Sequence, residues 1–248
     1  SSCSGSWLRS SPSRTFSRMD AAVVVGAAVL GVLVSPYLLR LVVRVPAMAT
    51  VGYVSDEDPT ITPRTRERAV RVLTPLAFAV MAWRWEATTV LVPFLFLAAV
   101  LVVVSLIDLE HYRIPDKIVF PALGISAGLI AFVSVLEGFD TVFLRNAVIG
   151  SVAYFTLLLV PHLIYPRGMG FGDVKLALLM GLYLGWIYAD PFRSVALIMW
   201  ALVLGSLLGV LAGVGFALIR GRRAEFPFGP ALALGCLLAI TFSDALVG

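Results

Sequence analysis

Residues 88–107 read TTVLVPFLFLAAVLVVVSLI and contain no charged side chain. A helix of about 20 apolar residues spans the hydrocarbon core of a bilayer, so this segment predicts a membrane-spanning helix. Further runs approach or exceed this length, and the charged residues collect between them. The chain is 60% hydrophobic and 14% charged, whereas a soluble domain is roughly half apolar and a quarter charged. The sequence therefore predicts an all-α fold, a polytopic bundle of transmembrane helices.

The apolar runs predict about eight spans. They cover residues 21–39, 70–83, 88–107, 118–136, 143–165, 174–188, 194–219 and 227–247. The second and sixth spans are short and require tilting or a locally thinner bilayer. Most of the 19 Lys and Arg residues fall in one set of alternate connections, which the positive-inside rule assigns to the cytoplasm.

Three segments describe the predicted domain organisation. Residues 1–18 are rich in Ser and Arg and are expected to be a disordered polar leader, with Met19 as a candidate start. We expect the apolar run after it to be an uncleaved first span. Residues 19–248 form a single membrane-embedded domain, in which residues 45–69 form a short cytoplasmic loop.

Composition also limits the kinds of site. The two cysteines, Cys3 and Cys236, are too few for a four-thiolate zinc site or a disulfide framework, and no metal or other cofactor is predicted. His111 and His162 are the chain's two histidines, and we expect polar or interhelical hydrogen-bonding roles for them. The basic residues form no patch interleaved with aromatic side chains, so nucleic acid is not an expected partner.

Two connections on the predicted cytoplasmic side carry aspartates at the ends of spans. In SLIDLEHYRIPDKIVFPAL (residues 105–123), Asp108 closes span three, and Pro115 and Asp116 precede span four. In YPRGMGFGDVKLALLMG (residues 165–181), glycines lead to Asp173 at the start of span six. Two carboxyls that share one proton can activate water and protonate a leaving amine, as in aspartic proteases. Glycines ahead of Asp173 leave room for an extended substrate.

Each of these residues also has a simpler interpretation. Asp173 and Asp116 are both suited to capping the helix that follows. Asp108 standing alone is compatible with an interfacial residue in contact with water. The acidic pair is also compatible with the proton or cation site of a multi-pass transporter or assembly factor. Transporter sites, however, usually lie near the bilayer midplane, whereas both aspartates fall at span ends on one side.

At these residues the chain resembles the type IV prepilin peptidase family, membrane aspartic proteases with a Gly-x-Gly-Asp signature. IDLEHYRIPD (residues 107–116) is similar to the family's first motif, an Asp followed several residues later by Pro-Asp or Pro-Asn. GMGFGDVKLA (residues 168–177) is similar to the second motif, including the Lys after the Asp. FPFGPALALG (residues 226–235) is similar to the segment that opens the family's last span. The likeness covers roughly residues 70–240.

The resemblance implies Asp108 and Asp173 as the catalytic pair, without a cofactor. It implies Gly170, Gly172, Pro115, Asp116 and Lys175 as residues that bind substrate or shape the site. The implied reaction removes the leader from type IV prepilins or pilin-like secretion subunits, at the cytoplasmic face of the bacterial inner membrane. Fuller members carry a methyltransferase domain with paired Cys-x-x-Cys motifs between the first two spans. The corresponding loop here contains no cysteine, which predicts peptidase activity without methyltransferase activity. An inactive relative used as a scaffold is also compatible with the sequence.

Overall fold

The computed structural model describes residues 18–49, 62–86, 88–165, 170–220 and 227–248. Across these ranges the chain forms nine helices: α1 (Arg18–Ala49), α2 (Pro63–Trp85), α3 (Leu91–His111), α4 (Asp116–Leu136), α5 (Thr141–Ile164), α6 (Phe171–Trp186), α7 (Pro191–Arg220), α8 (Gly229–Thr241) and α9 (Ser243–Val247). Five of them, α1, α3, α4, α5 and α7, contain stretches long and apolar enough to cross a membrane. The predicted all-α, polytopic membrane fold is confirmed.

Helix bounds differ from the predicted spans at three places. Both ends of the loop predicted at residues 45–69 are helical, because α1 continues to Ala49 and α2 begins at Pro63. The Thr62 side chain caps α2, with Pro at its first position, so the charged segment that follows is helical. The last predicted span, residues 227–247, is divided at Phe242 into α8 and α9. Arg18, the last residue of the predicted leader (residues 1–18), begins α1. The rest of that leader and residues 50–61 lie outside the described part of the chain.

The core of the bundle lies around α3 and α6. Most residues of both helices are buried, including nearly every residue of α6 after its first turn. Large apolar side chains on α1, α4, α5 and α7 are exposed instead, such as Leu33, Phe132, Ile164 and Val210. Apolar faces exposed in this way are typical of helices that cross a membrane. Three of these longer helices, α4, α5 and α7, pack against α6, and Asp173 in its first turn is buried.

Glycines let α5 and α6 pack with their backbones in contact. A methyl group on Gly150 would lie 2.6 Å from the carbonyl oxygen of Gly181 and 2.7 Å from the α-carbon of Gly185. The Ser151 hydroxyl also donates a hydrogen bond to the carbonyl of Leu178 at 2.8 Å. Small residues at such contacts are typical of helix pairs in membranes. This close packing fixes the position of α6 relative to the rest of the bundle.

Candidate active site

Asp108 lies in the last turn of α3. Its side chain is 6% exposed, so it is not the water-exposed interfacial residue that the sequence left open. Tyr112 ends the helix in the left-handed conformation, with φ 51°, and its amide donates to the Asp108 carbonyl at 2.8 Å. The chain then turns through residues 113–115 into α4. This short turn keeps the Pro-Asp segment beside Asp108.

The first amide of α8 holds the Asp108 carboxyl. The Gly229 N–H donates to Asp108 Oδ2 at 3.1 Å. A methyl group at position 229 would lie 2.7 Å from the same oxygen, so only glycine lets the amide approach this closely. Sequence reasoning did not select Gly229 as a site residue. Its signal was the Gly-Pro pair at the start of the last apolar run, where a helix begins with free amides.

Asp173 is the third residue of α6 and is also 6% exposed. Gly170 occupies the N-cap position, and the Asp173 amide donates to the Gly170 carbonyl at 3.2 Å. Asp173 is therefore not the N-cap that the simpler interpretation proposed. Its Oδ1 atom is buried without a hydrogen-bond partner. Since a buried polar atom without a partner is costly, such an atom is often part of a functional site.

Ile114 lies between the first turns of α6 and α8. A methyl group on Gly172 would be 2.8 Å from Ile114 Cβ, and one on Gly229 would be 3.2 Å from Ile114 Cδ1. The first turns of α6 and α8 therefore meet at one side chain, at the end of the bundle where Asp108 lies. Gly229 in the first turn of α8 binds Asp108, and Asp173 belongs to the first turn of α6, so both buried carboxyls lie beside helix starts that contact Ile114. Two buried carboxyls close to each other are suited to share one proton.

A second contact ties α4 to the first turns of α6. The Lys175 ammonium lies 2.5 Å from Asp116 Oδ1, 4.9 Å from the ring centre of Phe171 and 5.8 Å from that of Phe120. Pro115, and not Asp116, occupies the N-cap position of α4. The Asp116 carboxyl thus pairs with Lys175, in place of the helix cap that the simpler interpretation suggested.

All seven site residues selected from the sequence lie at the same end of the bundle. They are Asp108, Asp173, Gly170, Gly172, Pro115, Asp116 and Lys175. Gly168, the first residue of the second motif, lies outside the described ranges.

His162 packs against Phe171, with ring centres 5.3 Å apart. In the part of the chain that the structure describes, no three His, Cys, Asp or Glu side chains converge on a possible metal position. Asp108 and Asp173 are both buried, and carboxyls are groups capable of acid–base chemistry.

Comparison with known proteins identifies relatives of this chain. Residues 95–217 match the model of the type IV leader peptidase family. The chain is 35% identical over 159 residues to the prepilin leader peptidase/N-methyltransferase of Aeromonas hydrophila, covering 61% of this chain and 50% of that protein. It is 32% identical over 180 residues to the protein of the same name from Pseudomonas putida, covering 71% of this chain and 59% of the relative.

A third relative with that name, from Neisseria gonorrhoeae, is 30% identical over 182 residues, which cover 71% of this chain and 58% of the relative. The chain thus spans between half and three fifths of the length of these curated relatives. No solved structure matches it. The matched region contains both aspartates and both acidic motifs, and through residues 95–217 the chain belongs to the type IV leader peptidase family.

Proposed function

We propose that this chain is an aspartic endopeptidase that removes the leader peptide from type IV prepilins or pilin-like secretion subunits. The observation that carries the proposal is that two buried carboxyls, Asp108 and Asp173, lie at the same end of a helix bundle, beside helix starts that both contact Ile114. Membership of the leader peptidase family supports the same reaction. The names of the relatives include prepilin leader peptidase activity.

In this mechanism Asp108 and Asp173 share one proton. The ionised carboxyl takes a proton from a water molecule, which attacks the carbonyl carbon of the cleaved peptide bond. The protonated carboxyl then donates to the nitrogen of the leaving amine. The Gly229 amide orients Asp108 for this work through its 3.1 Å hydrogen bond. No metal is required, because water activation and amine protonation are both carried out by carboxyls.

The remaining predicted residues shape the site. Gly170 and Gly172 start α6 without side chains that would obstruct a peptide. Pro115 starts α4, and the Asp116–Lys175 pair holds this start against α6. Residues that fix the relative position of two catalytic groups affect rate strongly, because small displacements weaken the alignment needed for reaction.

We further propose that the site faces the cytoplasm in the bacterial inner membrane, where the protein contacts lipid. Lys and Arg concentrate in the connections at this end of the bundle, in agreement with the positive-inside rule. We also propose that the chain does not methylate its product. Support for this is the connection at residues 50–62, whose sequence TVGYVSDEDPTIT contains no cysteine. Mass spectrometry of the cleaved product tests this point, and a methylated N-terminus would contradict it.

Co-expression with a candidate prepilin tests the peptidase proposal. Leader removal is followed by a gel shift for the unsubstituted chain, Asp108→Asn and Asp173→Asn. We expect both variants to insert into the membrane and to lose cleavage, because an amide cannot exchange the proton. Asp190→Asn is the matched control, since Asp190 is exposed at the opposite end of α6. Retained cleavage by either site variant would overturn the assignment.

The transporter alternative predicts a different result. A proton or cation site at Asp108 and Asp173 would support flux across liposomes that depends on both side chains. We expect no such flux, because both aspartates lie at helix ends and not within the middle of a span. Aspartate-dependent flux without prepilin cleavage would favour the transporter.

A further inference from the structure

The last turn of α3 carries a second acidic residue, Glu110, two positions after Asp108. Successive residues of an α-helix are about 100° apart around its axis, so these two side chains leave α3 on roughly opposite sides. Asp108 meets the start of α8, where the Gly229 amide binds it. Glu110 meets α2, where Arg66 Nη1 lies 2.7 Å from the Glu110 Oε1 atom. The helix turn that carries Asp108 is therefore tied on both sides.

Arg66 has a fixed place on α2. Its amide donates to the carbonyl of Thr62, the residue that caps this helix, at 2.9 Å. One turn further along α2, Val70 is buried in the same apolar cluster as Leu106 of α3. The guanidinium group lies beside the C-terminal end of α3, where a positive charge interacts favourably with the helix dipole. These contacts place Arg66 where it can hold Glu110.

Stability alone does not account for this ion pair. The side chains of Arg66 and Glu110 are 17% and 10% exposed, so both charges have lost most of their hydration. Arg66 Nε and Glu110 Oε2 are also buried without a hydrogen-bond partner. The attraction within a buried pair of this kind is largely offset by the cost of removing both charges from water. A role in orienting the last turn of α3 would explain the pair despite this cost.

We propose that Arg66 is a positioning residue, which acts through Glu110 to hold Asp108 in the orientation required for cleavage. This inference rests on the proposed peptidase function. Without the ion pair, the last turn of α3 loses its polar restraint on the α2 side and can open locally. A displacement of about 1 Å at a catalytic group can lower the rate by about 100-fold. Arg66 therefore affects catalysis without touching the peptide.

Steady-state cleavage of a purified candidate prepilin in detergent tests this role. Arg66→Met keeps a long side chain without its charge, and Arg66→Lys keeps the charge. We expect Arg66→Met to lower kcat by about tenfold to 100-fold with little change in KM, because the pair orients a catalytic group and does not bind substrate. Arg66→Lys should recover part of this loss. The proposal is overturned if kcat is unchanged in Arg66→Met, if only KM changes, or if Arg66→Lys recovers nothing.

Two matched controls separate positioning from other losses. Arg71→Met removes an exposed ion pair on the same helix, in which Arg71 lies 2.6 Å from Glu67, and should leave kcat unchanged. Arg84→Met removes a buried arginine that pairs with Asp244 of α9 at 3.1 Å. It should lower the unfolding temperature but leave kcat unchanged wherever the protein is folded. An equal fall of kcat in Arg84→Met and Arg66→Met would indicate a general structural effect and would overturn the proposal.

The double variant with Arg66→Met and Glu110→Met contains no unpaired charge from this pair, so it decides the question if a single variant does not fold. We expect its kcat to be close to that of the slower single variant, because the two residues act together on Asp108. Full kcat in the double variant would attribute the single-variant losses to an unpaired buried charge, against a positioning role. Failure of the proposed function gives a different result, since the unsubstituted chain would then cleave no prepilin.

Discussion

Gly229→Ala tests whether α8 is part of the catalytic apparatus. Gly229 starts α8, and its amide donates to Asp108 Oδ2 at 3.1 Å. The added methyl group would lie 2.7 Å from that oxygen and 3.3 Å from the Asp108 carboxyl carbon. A contact of 2.7 Å is too short for carbon and oxygen, so the carboxyl or α8 must move. Either movement lengthens the hydrogen bond and displaces the Asp108 carboxyl from its position beside the start of α8.

The size of the effect follows from the bond that is lost. A hydrogen bond to a charged group contributes about 1.5–3 kcal/mol. If this whole amount is needed in the transition state, the rate falls by about tenfold to about 150-fold, since about 1.4 kcal/mol corresponds to tenfold. The methyl group also fills space beside Ile114 Cδ1, at 3.2 Å. We therefore expect at least a tenfold decrease in kcat for leader removal.

The assay compares single-turnover cleavage by Gly229→Ala and by Gly128→Ala. Gly128 lies in α4, and a methyl group there has no atom within 4 Å, so this control should cleave at the unsubstituted rate. Thermal unfolding in detergent separates a loss of structure from a loss of catalysis. If Gly229→Ala keeps its unfolding temperature and cleaves as fast as the Gly128 control, then Asp108 does not depend on α8 and the reasoning is refuted.

Three further substitutions test the contacts that hold the site and the bundle. Lys175→Ala removes a partly exposed ion pair and two aromatic contacts, worth about 1 kcal/mol together, and should slow leader removal several-fold in the gel assay. Exchanging the charges of Lys175 and Asp116 should restore part of the rate, and no recovery would count against a role for this pair. Gly181→Ala places a methyl group against the α5 backbone and should lower the free energy of unfolding by about 1–3 kcal/mol. This loss is measured as a lower unfolding temperature in detergent, and an unchanged temperature would contradict the close packing of α5 on α6. Arg84→Ala removes the donor that hydrogen-bonds Ser243 and Asp244, each at 3.1 Å. The α9 segment should then become sensitive to limited proteolysis, whereas Arg84→Lys should remain more resistant. Equal resistance of all three forms would contradict an anchoring role for Arg84.

The long spans could be predicted because each one is a continuous apolar segment of the sequence. Residues 88–107 contain enough uncharged residues to cross a bilayer, and α3 is found there. The two acidic motifs could also be selected locally, because each joins an aspartate to a helix end. Length and hydropathy say less about helices that are short and surrounded by protein. The division of the last span at Phe242 was therefore not predicted from the sequence. After this division, Ser243 and Asp244 of α9 bind Arg84 of α2.

The contacts that organise the site depend on packing between distant segments. Asp108 and Gly229 are separated by 121 positions, and nothing in either motif indicates that an amide of α8 will bind that carboxyl. Ile114 was missed for a related reason. In the sequence it is one apolar residue in a polar turn, and its contacts with Gly172 and Gly229 become visible only when three helix ends meet.

The shortness of α6 and α8 has a consequence for catalysis in a membrane. They contain 16 and 13 residues, which correspond to about 24 and 20 Å of helix, less than the roughly 30 Å of the hydrocarbon core. A helical substrate satisfies its own backbone groups, and unwinding it for hydrolysis exposes N–H and C=O groups that lipid cannot bind. Helix starts inside the protein supply amides for the exposed carbonyls. The Gly229 amide at the start of α8 is an example of such a donor, and in this structure it binds the Asp108 carboxyl. On the proposed function, a site built from two helix starts and two carboxyls would both stabilise an unwound peptide and supply the groups that hydrolyse it.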